Sequence, residues 1–113
     1  MSEIKEIVYM YGFTGRNSER MANFISVLEE QIKLNANINV ILIHDGVIGT
    51  SNKGVMPPLM NQLLSLPIKV YGMKPDLLAR GINADDIDNR IECIEYEDLV
   101  DILVKIPKIA SWM

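Results

Sequence analysis

The segment His44-Asp45-Gly46 places a group capable of proton transfer next to a carboxylate, directly after the apolar run Val40 to Ile43. Histidine has an ordinary pKa close to neutrality, so His44 could exchange protons at this point. Catalysis would also require a nucleophile or a second acid–base group, and no serine elbow or cluster of metal ligands accompanies the segment. The competing interpretation is a structural turn, in which Asp45 bonds the loop backbone and Gly46 supplies an unusual dihedral angle.

Cys93 is the only cysteine in the sequence and therefore the only candidate for a thiolate nucleophile. It lies in the middle of a predicted strand on the same side as Ile91, which favours the role of a small buried apolar residue. Glu92 and Glu95 would raise the pKa of the thiol and lower its reactivity. Because one cysteine allows neither a disulfide within the chain nor a cysteine-based metal site, we expect no metal and no cofactor.

A second candidate site is the loop between the first predicted strand and the first predicted helix. Backbone amides at a helix N-terminus can hold anions, which makes Gly12, Thr14, Gly15 and Arg16 a candidate phosphate or anion site. The spacing matches neither the dinucleotide-binding pattern G-x-G-x-x-G nor the phosphate-binding loop with its lysine. A glycine-assisted turn is the alternative interpretation.

Two apolar segments could serve either the core or a contact with another subunit. One is the methionine-rich helix entry Val55-Met56-Pro57-Pro58-Leu59-Met60, and the other is the ending Lys108-Ile109-Ala110-Ser111-Trp112-Met113. An apolar tail frays unless its side chains dock on a surface. Both segments can pack against this chain or against a neighbouring subunit, and the sequence leaves that choice open.

The elements that must position these residues alternate between strands and helices. Strands are predicted at 4–11, 37–44, 67–73 and 90–96, and helices at 18–34, 55–66, 76–80 and 97–106. This alternation implies parallel strands joined by right-handed crossovers. We therefore expect a small doubly wound α/β sheet of about four strands in the order 2-1-3-4, with helices on both faces, in a single domain spanning residues 1–113.

In a sheet of that order the winding reverses between the first and third strands. Ligands bind beyond the carboxyl ends of the strands at such a reversal, so the loops 12–17, 44–49 and 72–75 should lie together. The rim of the expected site, or an interface at the same place, would be formed by residues from these loops and the elements beside them. They are His44, Asp45, Gly46, Met73, Lys74, Arg80 and Trp112.

Composition excludes several classes of function. With 113 residues, 49% of them apolar and 23% charged, the chain has the make-up of an ordinary globular domain. A net charge of −4 argues against sequence-independent binding to nucleic acid. The longest apolar run, Val40 to Ile43, is far too short to span a membrane, and the residues from Met1 to Glu6 do not form a signal peptide. We expect a cytoplasmic protein without direct contacts to nucleic acid or membrane.

Several segments, in their order and spacing, are similar to one known family. They are Asp45-Gly46-Val47 after a buried strand, Val70-Tyr71-Gly72-Met73-Lys74-Pro75-Asp76-Leu77-Leu78-Ala79-Arg80-Gly81-Ile82, Ile94-Glu95-Tyr96-Glu97-Asp98-Leu99-Val100, and the ending Lys108 to Trp112. Through them the chain resembles the DsrH/TusB family of the DsrE-like sulfur-relay proteins. The resemblance implies a DsrE-like fold and a cytoplasmic complex with DsrE-like and DsrF-like subunits that passes persulfide sulfur along a relay. Such relays lead to 2-thiouridine at the wobble position of tRNA or serve sulfur oxidation.

The resemblance also implies that this chain does not carry the sulfur. In the catalytic relatives a cysteine lies eight residues before the glycine of an Arg-Gly pair, and counting back from Gly81 reaches Met73. A thioether cannot be deprotonated or hold a persulfide, which predicts a non-catalytic subunit. The alternatives are a sulfurtransferase that uses Cys93 and a module for a small ligand or nucleotide that uses Arg16, Lys74 and Arg80. When purified alone, the chain should form a homo-oligomer, because apolar surfaces meant for partners meet copies of themselves.

Overall fold

The computed structural model describes residues 5–14 and 17–113. Within them, parallel strands form one five-stranded sheet in the order β4-β3-β2-β1-β5. The strands are β1 (Lys5–Tyr11), β2 (Ala36–Leu42), β3 (Lys69–Met73), β4 (Ile91–Ile94) and β5 (Ile109–Trp112). The helices are α1 (Ser18–Lys33), α2 (Pro58–Leu64), α3 (Lys74–Ala79) and α4 (Tyr96–Lys105). The predicted α/β class is therefore confirmed, and no described helix is long and apolar enough to cross a bilayer.

The predicted strand order 2-1-3-4 is wrong. The central strand is β2, which pairs with β1 on one side and with β3 on the other. Every residue from Ile38 to Leu42 is buried, so both faces of β2 are covered, as a central strand requires. The winding consequently reverses between β1 and β5, and not between β1 and β3.

The ending of the chain forms the fifth strand, which the sequence analysis did not include. All of β5 pairs in parallel with β1, and the Gly12 amide donates to the Trp112 carbonyl oxygen at 2.8 Å. The Trp112 ring lies 5.2 Å from the Phe24 ring of α1, measured between centroids. The tail therefore docks on its own domain through the pairing of β5 and through the Trp112 ring.

Apolar side chains fill both faces of the sheet. On one face α1 and α2 supply the fully buried residues Met21, Phe24, Leu28, Met60 and Leu63. Of the methionine-rich segment, Met56 and Leu59 also pack against this cluster, whereas Val55 is 94% exposed. On the other face α4 packs Leu99, Ile102 and Leu103 against a second cluster made of Val8, Ile41, Ile43, Met73 and Ile94. No residue of α4 is fully buried, so this second face is covered less completely.

Tyr11 has a buried hydroxyl group that finds no hydrogen-bond partner among the described residues. Its ring stacks on Phe24 at 4.5 Å and meets the Phe13 ring edge-on at 5.8 Å. Burial raises the pKa of Tyr11, and the charge of Arg20 lowers it by a smaller amount. Because an unpaired buried hydroxyl costs free energy, we expect Tyr11→Phe to raise the free energy of unfolding by about 1 kcal/mol.

Urea unfolding of the wild type and of Tyr11→Phe measures this gain. The matched control is Tyr96→Phe, because Tyr96 is 59% exposed and its hydroxyl is solvated in either state. The control should change the free energy of unfolding by less than about 0.5 kcal/mol. A loss of stability in Tyr11→Phe would show that the hydroxyl is paired in the folded protein.

Candidate functional site

A turn at the carboxyl edge of the sheet contains His44, Asp45 and Gly46. It follows β2 directly as a single 3-10 turn over His44–Val47. His44 has a φ of 50°, in the left-handed region that favours glycine. Its backbone amide donates to Asp76 Oδ2 at 3.0 Å. A carboxylate of α3 thus holds this turn residue in an uncommon conformation.

Asp45, Asp76 and Arg80 form a network that joins the turn to α3. Arg80 Nε donates to Asp45 Oδ1 at 3.0 Å, and Arg80 Nη1 donates to the Asp76 carbonyl oxygen at 3.2 Å. The side chains of Asp76 and Arg80 are only 15% and 25% exposed, so water screens their interaction less than it would on the open surface. The structure therefore brings together His44, Asp45 and Arg80. It adds Asp76, which the sequence analysis missed although an acidic residue in a first helical turn is a recognisable signal.

Gly46 lies where this turn crosses the end of β1. A Cβ atom at this position would lie far inside van der Waals contact with the Tyr11 carbonyl oxygen. That oxygen accepts a hydrogen bond from the Ile43 amide at 3.0 Å. Gly46 does not have a positive φ, so the prediction that it supplies an unusual dihedral angle is wrong. Close packing requires glycine here, and the unusual angle belongs to His44.

Met73 ends β3, so its backbone lies at the carboxyl edge of the sheet, whereas its thioether is fully buried. The side chain packs in the apolar cluster beneath α4. Its neighbour Lys74 begins α3 and is exposed. The expected rim of the site is therefore formed on this side by Lys74, and not by the Met73 side chain.

Cys93 is half-buried and packs against the cluster on the α1 side of the sheet. Burial raises the pKa of the thiol; the charge of Lys74 lowers it, and Glu95 and Asp85 raise it further. Because the thiolate is the reactive form, a raised pKa makes Cys93 a weak nucleophile at neutral pH. Of the two glutamates expected to act on the thiol, Glu92 points to the opposite face of the strand.

The predicted anion site is only partly within the described residues, because Gly15 and Arg16 lie outside them. The Gly12 amide already donates to the Trp112 carbonyl oxygen. At the start of α1, Asn17 Oδ1 accepts a hydrogen bond from the Arg20 amide at 3.2 Å. These contacts satisfy amides that an anion would otherwise bind, and the anion site stays a prediction.

A groove of about 470 Å³ opens beside the Asp45–Arg80 pair. It is lined by apolar and polar side chains together, among them Ile48, Ser51, Lys53, Val55, Pro57, Arg80 and Ile82. The described residues contain no group of three or more histidine, cysteine, aspartate or glutamate side chains able to hold a metal ion. Taken together, these side chains hold the turn that contains His44 in place and border an open groove. Cys93, which carries the only thiol of the chain, is a weak nucleophile.

Comparison with solved structures defines the class of protein first. The Protein of Unknown Function MTH1491 from Methanobacterium thermoautotrophicum has a TM-score of 0.72 at 12% identity, over 96% of this chain and 99% of that one. The ychN protein from E. coli has a TM-score of 0.73 at 16% identity, over 96% of this chain and 100% of that one. At these identities the likeness shows the fold alone, which is that of a small α/β protein with a parallel sheet.

Sequence comparison then defines the family. The model described as "DsrH like protein" matches residues 17–109. Protein TusB from Enterobacter sp. (strain 638) is 36% identical over 73 residues, which are 65% of this chain and 73% of that protein. Protein TusB from Erwinia tasmaniensis is 37% identical over 79 residues, which are 70% of this chain and 79% of that protein. The chain belongs to the DsrH/TusB family.

Proposed function

We propose that this chain is a non-catalytic subunit of a DsrE/DsrF/DsrH-type sulfur-relay complex. The observation that carries the proposal is the thioether of Met73, which is enclosed beneath α4 at the position where the family resemblance implies a cysteine in the catalytic relatives. A thioether has no proton to lose and cannot become the thiolate on which a persulfide is built. Membership in the DsrH/TusB family supports the same role.

The environment of Cys93 supports this proposal over a sulfurtransferase that uses Cys93. The side chain packs against the core on the α1 side, and burial raises the pKa of its thiol. A carrier of persulfide sulfur needs a thiol that is exposed and readily deprotonated. A module for a nucleotide or another small ligand is supported less, because Arg80 is already engaged with Asp45 and Asp76.

The role that follows is that of a scaffold in the cytoplasm. The partners are DsrE-like and DsrF-like subunits, and the chain contacts neither nucleic acid nor membrane directly. The relay ends in 2-thiolation of the wobble uridine of tRNA or in sulfur oxidation. In the absence of its partners the chain associates with copies of itself, through exposed apolar side chains such as Val104, which is 77% exposed.

Persulfide loading tests the proposal. The reconstituted complex is loaded with sulfur from a cysteine desulfurase, and intact-mass spectrometry is recorded for every subunit before and after reduction. We expect the added sulfur on a DsrE-like partner and none on this chain. We also expect Cys93→Ser to restore sulfur transfer in a deletion strain as fully as the wild type, because the thiol plays no part.

Two outcomes would contradict the proposal. One is a sulfur atom on this chain that reductant removes and that Cys93→Ser abolishes together with complementation. The other is a complex that forms and transfers sulfur equally well without this chain. Thermal unfolding in the presence of nucleotides is a further check, because a specific ligand would raise the unfolding temperature and favour the binding-module alternative.

A further inference from the structure

Five of the eight large apolar side chains that are exposed in the described part of the chain share one region of the surface. They are Tyr96, Val100 and Val104 of α4, Ile109 of β5, and Met113, and their exposed fractions are 59%, 56%, 77%, 44% and 57%. Isolated exposed apolar residues are ordinary, but a contiguous group of them marks an interaction surface. We call this group the α4–β5 face.

Ile109 and Met113 lie on the side of the sheet that α4 covers. Side chains alternate along a strand, and Ala110 and Trp112 pack against the cluster on the α1 side. Ile109 and Met113 therefore project to the opposite side. The Met113 side chain confirms this, because its Cγ lies 3.0 Å from where a Cβ of Gly12 would be.

The exposed flank of α4 faces the same region. Tyr96, Val100 and Val104 follow one another at intervals of four residues, so they form one stripe along the helix. The other flank carries Lys105, which lines a groove that also includes Glu6 of β1 and Tyr71 of β3. Because α4 connects β4 to β5 as a right-handed crossover, the flank with the stripe is the one turned toward β5.

On the side of the sheet that α4 covers, the edge strand β5 is covered less completely than the strands beside it. Within the described residues, α4 is the one helix that packs on this side of the five-stranded sheet. Buried residues of β1, β2, β3 and β4 all belong to the cluster beneath it, and Val8 of β1 is fully buried. Ile109 of β5, in contrast, is 44% exposed, so the β5 edge of this side is open to a partner.

We propose that the α4–β5 face binds a partner subunit through an apolar surface flanked by lysine or arginine. Glu97 and Asp101 are both exposed and follow Tyr96 and Val100 in sequence, so carboxylates border the stripe. An occupant must bury the apolar stripe and place positive groups near these carboxylates, because like charges at an interface oppose association. This inference rests on the proposed function, since it names the surface by which the subunit joins its complex.

The negative charge beside the α4–β5 face favours a different protein, and not a second copy of this chain, as its binding partner. The net charge is −4, and a copy seated on the same face brings its own Glu97 and Asp101 to the contact. Self-association through this face is therefore weaker than binding of a basic partner. It strengthens with added salt, which screens the repulsion, whereas binding of the basic partner weakens with salt.

The test uses the full chain co-expressed with the DsrE-like and DsrF-like proteins of the same organism. The complex is purified through a tag on this chain, and its mass is measured by light scattering. Val104→Glu should lower the affinity for the partners at least tenfold, because it buries a carboxylate in an apolar contact. The matched control is Val55→Glu, since Val55 is 94% exposed and lies outside the α4–β5 face. This control should keep the wild-type affinity.

A second pair of variants tests the charge assignment. Glu97→Lys with Asp101→Lys should weaken the complex at least tenfold at low salt, with less effect at high salt. Lysine at Glu29 and Glu30, which are exposed on α1, is the control and should leave the complex intact. Every substituted side chain is exposed, so each isolated variant should fold. Urea unfolding of the isolated variants checks this.

The outcomes separate this inference from the proposed function. If the wild type recovers neither partner, the proposed function fails. If the partners bind the wild type and Val104→Glu equally, or if Val55→Glu alone loses them, the inference is overturned while the proposed function stands. If Val104→Glu abolishes only self-association, the occupant is a second copy, and the inference is likewise overturned.

Discussion

Gly46→Ala should lower the free energy of unfolding by about 3 kcal/mol or more, the largest loss we expect from adding a single methyl group to this protein. The methyl group would be forced against the Tyr11 carbonyl oxygen, which belongs to the backbone and cannot rotate away. Separating the two atoms would break the hydrogen bond that the Ile43 amide donates to the same oxygen, and it would shift the turn that carries His44. Urea unfolding followed by circular dichroism measures the loss.

Gly54→Ala is the control for this substitution. Gly54 has a φ of 86°, and no atom in the described part of the chain lies within 4 Å of its Cβ position, so alanine there meets backbone strain without a steric clash. The expected cost is about 1 kcal/mol. Equal losses in the two variants would mean that the chain relaxes around Gly46, and that the close crossing of the turn and β1 is not rigid.

Trp112→Ala should lower the free energy of unfolding by about 2 to 3 kcal/mol, less than a fully buried tryptophan because the side chain is only half-buried. The ring contacts Phe24 of α1, so its loss loosens both β5 and the helix beside it. Hydrogen exchange should be faster at the Gly12 amide, whose acceptor is the Trp112 carbonyl oxygen.

The neighbouring residue Ser111 provides the comparison for this variant. Ser111 belongs to the same strand but is exposed, so Ser111→Ala should change the free energy of unfolding by less than about 0.5 kcal/mol. If Trp112→Ala were as mild as Ser111→Ala, the ending of the chain would contribute nothing to this domain. Its apolar residues would then have to be explained by a partner.

Local periodicity was sufficient to predict most of the individual elements. The three- and four-residue spacing of Met21, Phe24, Ile25 and Leu28 predicted α1, and those residues are its buried face. The order of the strands did not follow, because periodicity shows which side of a strand is buried and says nothing about its neighbours. The burial of both faces of β2 held that information, since only a strand covered on both sides belongs at the centre.

β5 was missed because its local sequence is ambiguous. Pro107 follows the end of α4, and Ile109 to Trp112 is a short segment in which a small and a polar residue separate two large apolar ones. Such a segment becomes a strand only because the edge of β1 offers backbone partners. A tertiary contact, and not local propensity, determines this element.

The candidate site was predicted in its location more than in its detail. Residues that end parallel strands meet at one edge of the sheet, so the proximity of His44 and Arg80 followed from the class of fold. The buried side chain of Met73 did not follow, because it depends on where α4 lies over the sheet. Nor did the positive φ of His44, whose amide donates a hydrogen bond to Asp76 of α3.

The pairing of β1 with β5 joins residues that are about a hundred positions apart in sequence, since Val8 lies opposite Ile109. Closing such a long loop is slow, because chain entropy must be lost before the contact forms. Until then, one edge of β1 offers unpaired amides and carbonyls beside apolar side chains, which is a template for intermolecular strand pairing. The nascent chain should therefore be most vulnerable to aggregation while β1 through β4 are formed and the last strand is still missing.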